Sequence, residues 1–344
     1  MKNRLSPQLF KIFIGKLPIV KQCFLEEKNK AVIELNNGAS FSVSIVISET
    51  GYPKQIKDII SKIKADIYTV IIAPYISEQT ADLCLNANVG YMDQMGNCNI
   101  VCGSLYVEIK GNKNQNASKR ALKSIYERSS VVSSAILMTM LANCEKVWKM
   151  KELADAAGSS IGQVAKVKEF LLNQAFIEQT KNGFRLSDPR ALMRNWAAIY
   201  KNGSEEEVAC YSLDDVATIE AKLSKMKDDI GIECILTGFS GGSRYQPVVR
   251  YNKVHVYVEP LNIEQVISYL GLKKVDSGAN IILIIPYNNC IGQNARFKKD
   301  NMVASPVQLY LDCMSMKGRG EEMAEAILDR VICDDKRRGA EEYL

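Results

Sequence analysis

The order of helical and strand-like patterns between residues 118 and 188 restricts the fold of this chain more than any other feature. Residues 130–143 and 148–157 each have the apolar spacing of a helix with one buried face. Gly158 then permits a sharp turn, because glycine adopts a positive φ without steric cost. A third helical pattern follows directly, and Ser159 or Ser160 is placed to cap it.

A pair of short strands completes this segment. Residues 176–179 and 184–187 alternate apolar and polar side chains, and residues 181–183 (KNG) provide the turn between them. Three helices followed by a hairpin are typical of a winged helix-turn-helix, whose third helix enters the major groove of DNA. The pattern therefore predicts a winged helix-turn-helix DNA-binding domain over residues 118–188.

The positive charge of the chain is concentrated around the same segment. The net charge of the 344 residues is +5. Residues 111–190 contain 13 Lys and Arg against 7 Asp and Glu, which gives +6, whereas residues 1–110 carry +2 and residues 191–344 carry −3. A local surplus of this kind favours contact with the phosphates of nucleic acid.

The candidate DNA contacts form three groups. Bases are expected to be read from the start of the third helix, because glutamine pairs with adenine and lysine reaches guanine or phosphate; these residues are Ser159, Ser160, Gln163 and Lys166. Phosphates are expected to be contacted from the helix flank and the hairpin by Lys168, Lys181, Asn182 and Arg185. Further backbone contacts are expected from the preceding helix, through Lys119, Arg120, Lys123 and Arg128. A protein-interaction adaptor, in which the same module contacts protein, remains the alternative.

Residues 1–112 alternate strand and helix patterns. Helices are expected from Pro53 and from Ser77, among strands at 31–35, 41–47, 67–73 and 89–93 and further strands within 98–109, where Gly103-Ser104 forms a turn. This rhythm predicts an α/β domain with an open sheet, similar to the restriction-endonuclease-like fold. A polar linker at 111–117 separates it from the helical module.

A metal-dependent nuclease is the first catalytic alternative. Asp93 and the Glu108-x-Lys110 pair resemble the acids and lysine that hold Mg²⁺ and position water in such enzymes. The chain order argues against it, because a linker follows Lys110 and the strand at 41–46 contains no acid. We therefore expect a nuclease-like scaffold without an active site, in which Glu108 and Lys110 are a solvent-facing charge pair.

Residues 189–344 predict a connecting helix at about 189–212 and a second α/β domain, with strands at 233–237, 253–258 and 281–286 and a closing helix at 321–333. The glycine-rich residues 236–242, followed by a strand at 254–258, resemble the start of a nucleotidyltransferase fold. That reaction needs paired acids on the strand, where this chain has His255 and Tyr257. We expect a degenerate nucleotidyltransferase-like domain in which Gly241 and Gly242 form a turn.

Four stretches of sequence resemble one protein family. They are residues 73–77, 90–97, 304–312 and 317–327, with the sequences APYIS, GYMDQMGN, ASPVQLYLD and KGRGEEMAEAI. The chain resembles the AbiEi-type transcriptional regulators, the antitoxins of type IV toxin–antitoxin systems. The resemblance implies a protein that represses its own operon at promoter repeats, where a homodimer would fit. It also implies a nucleotidyltransferase-like toxin as functional partner, opposed without a stable complex.

The remaining composition argues for a reduced, cytoplasmic protein without a cofactor or metal. Lys11, Lys16 and Pro18 interrupt the apolar N-terminus, so no signal peptide or membrane contact is expected. The ten cysteines form no CxxC pair, and His255 is the only histidine, which leaves few ligands for zinc. Together with the missing acids, these features predict a protein that is not an enzyme.

Overall fold

The structure, a computed structural model, describes residues 5–64, 66–112, 125–127, 129–200 and 206–332. The chain divides into two compact units, one of residues 1–118 and 170–175 and one of residues 119–169 and 176–344. Helices and strands are mixed in the chain, which confirms the predicted α/β class. The finer boundaries expected at 1–112, 118–188 and 189–344 stay predictions, as do the nuclease-like and nucleotidyltransferase-like assignments.

The first unit contains a seven-stranded sheet in which neighbouring strands follow chain order. Its strands are β1 (Val20–Glu26), β2 (Lys30–Leu35), β3 (Ser40–Ile47), β4 (Thr69–Ala73), β5 (Gly90–Asp93), β6 (Cys98–Cys102) and β7 (Leu105–Ile109). The helices are α1 (Pro7–Ile14), α2 (Pro53–Ile60) and α3 (Glu78–Asn86). Strands β3, β4 and β5 are parallel to one another. Parallel neighbours require crossover connections, and α2 and α3 provide them.

The central strand β4 is buried on both faces. Val70 and Ile72 belong to one apolar cluster, which also contains Phe10 of α1. Ile71 and Ala73 belong to a second cluster with residues of α2 and α3. Because successive side chains of a strand point to opposite faces, one strand contributes to two cores. The structure confirms the central strand that the apolar run at 67–73 predicted.

Helix α1 and strand β1 were not predicted from the sequence. Phe10 and Ile14 are fully buried, whereas Lys16 is exposed just after the helix ends. Of the residues that interrupt the apolar run, Lys11 is half-buried within this amphipathic helix, and Lys16 and Pro18 are exposed after it ends.

Three helices and a hairpin follow. They are α4 (Val131–Ala142), α5 (Met150–Ala156), α6 (Ile161–Asn173), β8 (Ile177–Thr180) and β9 (Gly183–Leu186). All of their residues belong to the second unit except the end of α6, from residue 170 onwards. The order and the bounds agree with the predicted pattern to within one or two residues. Helix α4 is apolar all round, and it packs against helices near the C-terminus of the same unit.

A mixed seven-stranded sheet forms the rest of the second unit. Its strands are β10 (Glu207–Tyr211), β11 (Ile235–Thr237), β12 (Val254–Tyr257), β13 (Lys273–Lys274), β14 (Ile281–Ile284), β15 (Arg296–Lys298) and β16 (Asn301–Val303). They are arranged in the order β13-β10-β14-β12-β11-β16-β15. The helices are α7 (Pro189–Tyr200), α8 (Val216–Ile230), α9 (Gly238–Tyr245), α10 (Ile263–Leu270), α11 (Cys290–Gln293), α12 (Pro306–Ser315) and α13 (Gly320–Ile327).

Two predicted helix bounds need correction. The connecting helix α7 ends at Tyr200 rather than near residue 212, and residues 207–211 form strand β10 instead. The alternating pattern of that strand is short enough to be mistaken for the continuation of a helix. The closing helix starts at Gly320 and ends as an α-helix at Ile327, after which Leu328–Ile332 form a π-helical turn. Within the described ranges, no helix has the length and apolar character needed to cross a membrane.

Candidate nucleic-acid interface

Backbone hydrogen bonds join the β8–β9 hairpin to the segment that precedes α5. The backbone N–H of Trp148 donates to the carbonyl of Phe184 at 2.8 Å, and the N–H of Phe184 donates back at 3.0 Å. Gly183 makes this approach possible, because a Cβ at that position would lie 2.2 Å from the Trp148 carbonyl oxygen. Both aromatic side chains are buried, so the hairpin has a fixed place beside the three helices.

A tight turn sets the start of α6. Gly158 has a φ of +59°, as a sharp turn between helices requires. The hydroxyl of Ser160 accepts a hydrogen bond from the N–H of Gln163 at 3.2 Å, so Ser160 rather than Ser159 caps the helix. The hydroxyl of Ser159 is buried and has no hydrogen-bond partner among the described residues.

Five of the predicted contact residues are exposed on the module, and Ser160 is one of them. Val164 and Val167 are buried, and the opposite side of α6 presents Gln163 and Lys166 to solvent. Lys181 and Asn182 are exposed at the tip of the hairpin. In the described part of the chain, neither Lys166 nor Lys181 takes part in an ion pair, so both charges are available to an incoming phosphate.

Two of the residues predicted to contact phosphate, Arg185 and Lys168, already have partners within the module. The Nε atom of Arg185 donates to Oε1 of Glu178 at 2.6 Å, and the guanidinium also lies 3.7 Å from Glu145. The hydrogen bond to Glu178 raises the pKa of Arg185 above its usual range. The Nζ atom of Lys168 lies 5.0 Å from the centre of the Phe184 ring, in a cation–π contact. A phosphate would have to compete with these partners.

The third predicted group, Lys119, Arg120, Lys123 and Arg128, lies outside the described residues. Residues 129–190 contain eight Lys and Arg against six Asp and Glu, which leaves +2 of the +6 counted for residues 111–190. Most of the charge surplus therefore belongs to the segment before α4.

Sequence reasoning missed Ile161, which is 51% exposed at the first position of α6. Gly162 and Ala165 are exposed beside it. An apolar residue outside the buried stripe of an otherwise amphipathic helix was the available signal.

The Asp93 carboxylate does not face an open metal site. Its oxygen atoms accept hydrogen bonds from four donors: the backbone N–H groups of Ile76, Met95 and Asn97 and the side-chain amide of Asn97, at 2.8–3.2 Å. The side chain is 1% exposed. Four donors use the acceptor capacity of a carboxylate, so this acid holds the turn after β5.

The other two candidate nuclease residues are at the surface. Glu108 lies 2.5 Å from the Nζ atom of Lys110 and accepts a hydrogen bond from the hydroxyl of Tyr106 at 2.7 Å. These hydrogen bonds lower the pKa of Glu108. In the ranges that the structure describes, no group of three or more His, Cys, Asp and Glu side chains is placed to hold a metal ion. The nine cysteines in these ranges are buried thiols, and burial raises the pKa of Cys84 to about 12.

The glycine-rich segment of the second unit forms helix α9, not the turn expected from the sequence. A Cβ on Gly241 would lie 2.6 Å from Cδ2 of Leu309 and 2.7 Å from the carbonyl oxygen of Leu236. A Cβ on Gly242 would lie 2.9 Å from the side chain of Met323. These glycines allow α9 to pack closely against α12 and α13, which is why a loop signature occurs inside a helix.

A polar cluster in the second unit comprises the half-buried Tyr287 and five buried residues, Tyr200, Thr237, Tyr257, Gln308 and Asp312. The Asp312 carboxylate accepts hydrogen bonds from Tyr200 at 2.8 Å, from Tyr257 at 2.9 Å, from the Gln308 amide at 2.7 Å and from Thr237. Tyr287 donates to the carbonyl oxygen of Gln308 at 2.9 Å. Burial raises the pKa of Asp312, and the four donors oppose that shift.

The polar cluster connects four elements of the second unit. Tyr200 ends helix α7, Thr237 and Tyr257 lie on neighbouring strands, and Asp312 lies on α12. The residues at 304–312 that carried the family resemblance therefore supply the centre of this cluster. With its oxygen atoms occupied from inside the protein, Asp312 has a structural role in this arrangement.

The comparison with protein families matches the C-terminal part of the chain. Residues 185–333 match a family model of transcriptional regulators. The family is described as transcriptional regulators that are the AbiEi antitoxin of type IV TA systems, and the C-terminal part of the chain is similar to it. The match confirms the resemblance stated from the sequence, and it begins in β9, after the three helices of the module. No curated protein and no solved structure matches the chain.

Proposed function

We propose that the protein is a sequence-specific double-stranded DNA-binding regulator that acts as the antitoxin and autorepressor of a type IV toxin–antitoxin operon. The observation that carries the proposal is the arrangement of α4, α5, α6 and the β8–β9 hairpin, with Gln163 and Lys166 on the exposed side of α6. The family match over residues 185–333 supports the antitoxin role.

In this proposal the module is a winged helix whose third helix lies in the major groove. Gln163 pairs with adenine, and Lys166 contacts guanine or phosphate. Lys181 and Asn182 contact the sugar-phosphate backbone from the hairpin. Gly162 and Ala165 are exposed and small, so the helix approaches the base edges closely.

The proposed role is not catalytic. The four donors around Asp93 and the close packing at Gly241 support it, because each accounts for a motif that suggested an enzyme. The functional partner is a nucleotidyltransferase-like toxin, opposed without a stable complex. Promoter DNA would be bound in the cytoplasm, by a homodimer across repeated half-sites.

A salt-titrated gel shift on the gene's own upstream region tests the proposal. The wild type should prefer this DNA to a scrambled sequence, and the Gln163→Ala/Lys166→Ala variant should lose about ten-fold or more of that preference. A matched control is Gln265→Ala/Lys225→Ala, which changes the same residue types at exposed positions of α10 and α8. Equal binding to both sequences, or no binding, would overturn the proposal and favour the adaptor.

A further inference from the structure

The start of α6 presents one large apolar side chain among small and polar neighbours. Ile161 is 51% exposed. A Cβ at Gly162 would have only the Ser160 hydroxyl within 4 Å, at 3.9 Å. The surface beside Ile161 is therefore shallow and unobstructed. Single exposed isoleucines are common on protein surfaces, and the position of this one decides what it contacts.

The geometry of the helix places Ile161 and Gln163 on opposite flanks of the exposed face. Residues two apart on an α-helix are separated by about 160° around its axis, and here Gly162 lies between them. A helix that enters a groove with Gly162 towards its floor brings Ile161 near one row of base edges and Gln163 near the other. The side chains on these two flanks are thus one apolar and one amide group.

The exposed lysines of the helical module favour nucleic acid as the occupant. Lys151, Lys166 and Lys181 are exposed, and within the described residues none of the three is in an ion pair. Exposed positive side chains on α5, α6 and the hairpin complement the phosphates on either side of a DNA groove. The major groove offers one apolar group to such a helix, the C5-methyl group of thymine.

We infer that Ile161 is a specificity-determining residue that reads a thymine methyl group, so that each half-site of the operator contains A·T pairs under both Ile161 and Gln163. The inference rests on the proposed function and adds the base class that the site selects. Ile161 contributes apolar contact with the methyl group, and Gln163 contributes paired hydrogen bonds to adenine.

Probes in which deoxyuridine replaces thymidine test the inference, because they lack only the methyl group. Wild-type affinity for the upstream region should fall about four-fold for each methyl group contacted. Ile161→Ala should bind the thymidine probe more weakly by a similar factor and should bind both probes alike. The control Ile230→Ala removes an isoleucine of similar exposure (42%) at the end of α8, and should respond to deoxyuridine as the wild type does. Thermal unfolding should be the same for Ile161→Ala and the wild type, because the side chain is outside the core.

The outcomes separate this inference from the proposed function. If the wild type prefers upstream DNA but binds both probes equally, the inference is wrong and the proposed function stands. The inference is also wrong if Ile161→Ala keeps the wild-type response to deoxyuridine, because another residue then reads the methyl group. If upstream and scrambled DNA bind equally on thymidine probes, the proposed function fails, and the inference fails with it.

Discussion

The guanidinium of Arg185 and the carboxylate of Glu178 face each other across the β8–β9 hairpin and form a 2.6 Å hydrogen bond. Arg185 was expected to contact phosphate, and this pairing gives it a partner within the protein. The hairpin therefore presents Lys181 rather than Arg185 as its uncompensated positive charge.

Removal of the Glu178 charge should strengthen DNA binding. Glu178→Gln leaves Arg185 without its hairpin carboxylate, so we expect affinity to rise several-fold at low salt and the log–log salt slope to steepen by about one. Arg185→Gln should weaken binding less than Lys181→Gln does. Gel shifts over a salt series provide the measurement, with Glu264→Gln as control, since Glu264 pairs with Lys274 at a comparable 2.6 Å on another part of the unit. An unchanged affinity for Glu178→Gln would place the hairpin away from the DNA.

Asp93→Asn should destabilise the first unit. The amide nitrogen cannot accept a hydrogen bond, so two of the four donors lose their partner, and we expect a loss of about 2 kcal/mol in the free energy of unfolding. Denaturant unfolding measures the loss, with Glu108→Gln as an exposed control that should leave stability unchanged.

Incubation of the wild type with DNA and Mg²⁺ should give no cleavage. Cleavage that Glu108→Ala abolishes would revive the nuclease alternative.

Gly241→Ala should disturb the packing of α9. The added methyl group meets the Leu236 backbone at 2.7 Å, which cannot move as a flexible side chain can, so a loss of about 2 kcal/mol is expected. Gly292→Ala is the matched control, because nothing lies within 4 Å of a Cβ at that helical position. Thermal unfolding should separate the two variants. Equal melting temperatures would show that α9 has room for a side chain.

Asp312→Asn should lower the free energy of unfolding more than Asp93→Asn or Gly241→Ala does. The carboxylate is buried with four donors, and an amide group would turn its own N–H groups towards some of them. We expect a loss of about 3 kcal/mol, measured by urea unfolding against Asp276→Asn, which changes an exposed aspartate of the same unit. A near-neutral effect would mean that the carboxyl group is protonated and already donates a hydrogen bond.

His255 should make stability depend on pH below neutrality. Burial lowers its pKa from 6.5 to about 4, so between these values the unfolded chain binds more protons than the folded protein. Stability should therefore fall as the pH drops, by about 1–2 kcal/mol between pH 7 and pH 5. Urea unfolding at a series of pH values measures this fall. No other histidine occurs in the chain, so His255→Gln should show a smaller fall than the wild type. The same fall in both proteins would assign the effect to carboxyl groups.

The helical module was predictable because its signals are local. The apolar stripe of α6, the turn at Gly158 and the serine cap depend on residues within one or two turns of helix. The exposed positions of Gln163 and Lys166 followed from the same stripe. This is why the order of elements between residues 130 and 188 agrees closely with the structure.

The partners of individual side chains were not predictable. The engagement of Arg185 depends on strand register, and that of Asp93 on a loop 17 residues away in sequence. A glycine pair also looks the same in sequence whether it forms a turn or permits close helix packing, so the role of Gly241 required its spatial neighbours. The two-residue and three-residue strands β13, β15 and β16 are too short to produce a periodic signal.

The contact between a residue just after α4 and the π-helical turn at Leu328–Ile332 has a consequence during translation. Cys144, just after α4, contacts the carbonyl of Ile332, which is 188 residues further along the sequence. Ribosomes add about 5–20 residues per second, so synthesis of the intervening residues takes on the order of 10–40 s. During this time the apolar α4 lacks the helices that later cover it. A nascent chain in this interval exposes the apolar surface of α4, and a transcript cut short before α11 would encode a product without α11 and α12, the helices that pack on it.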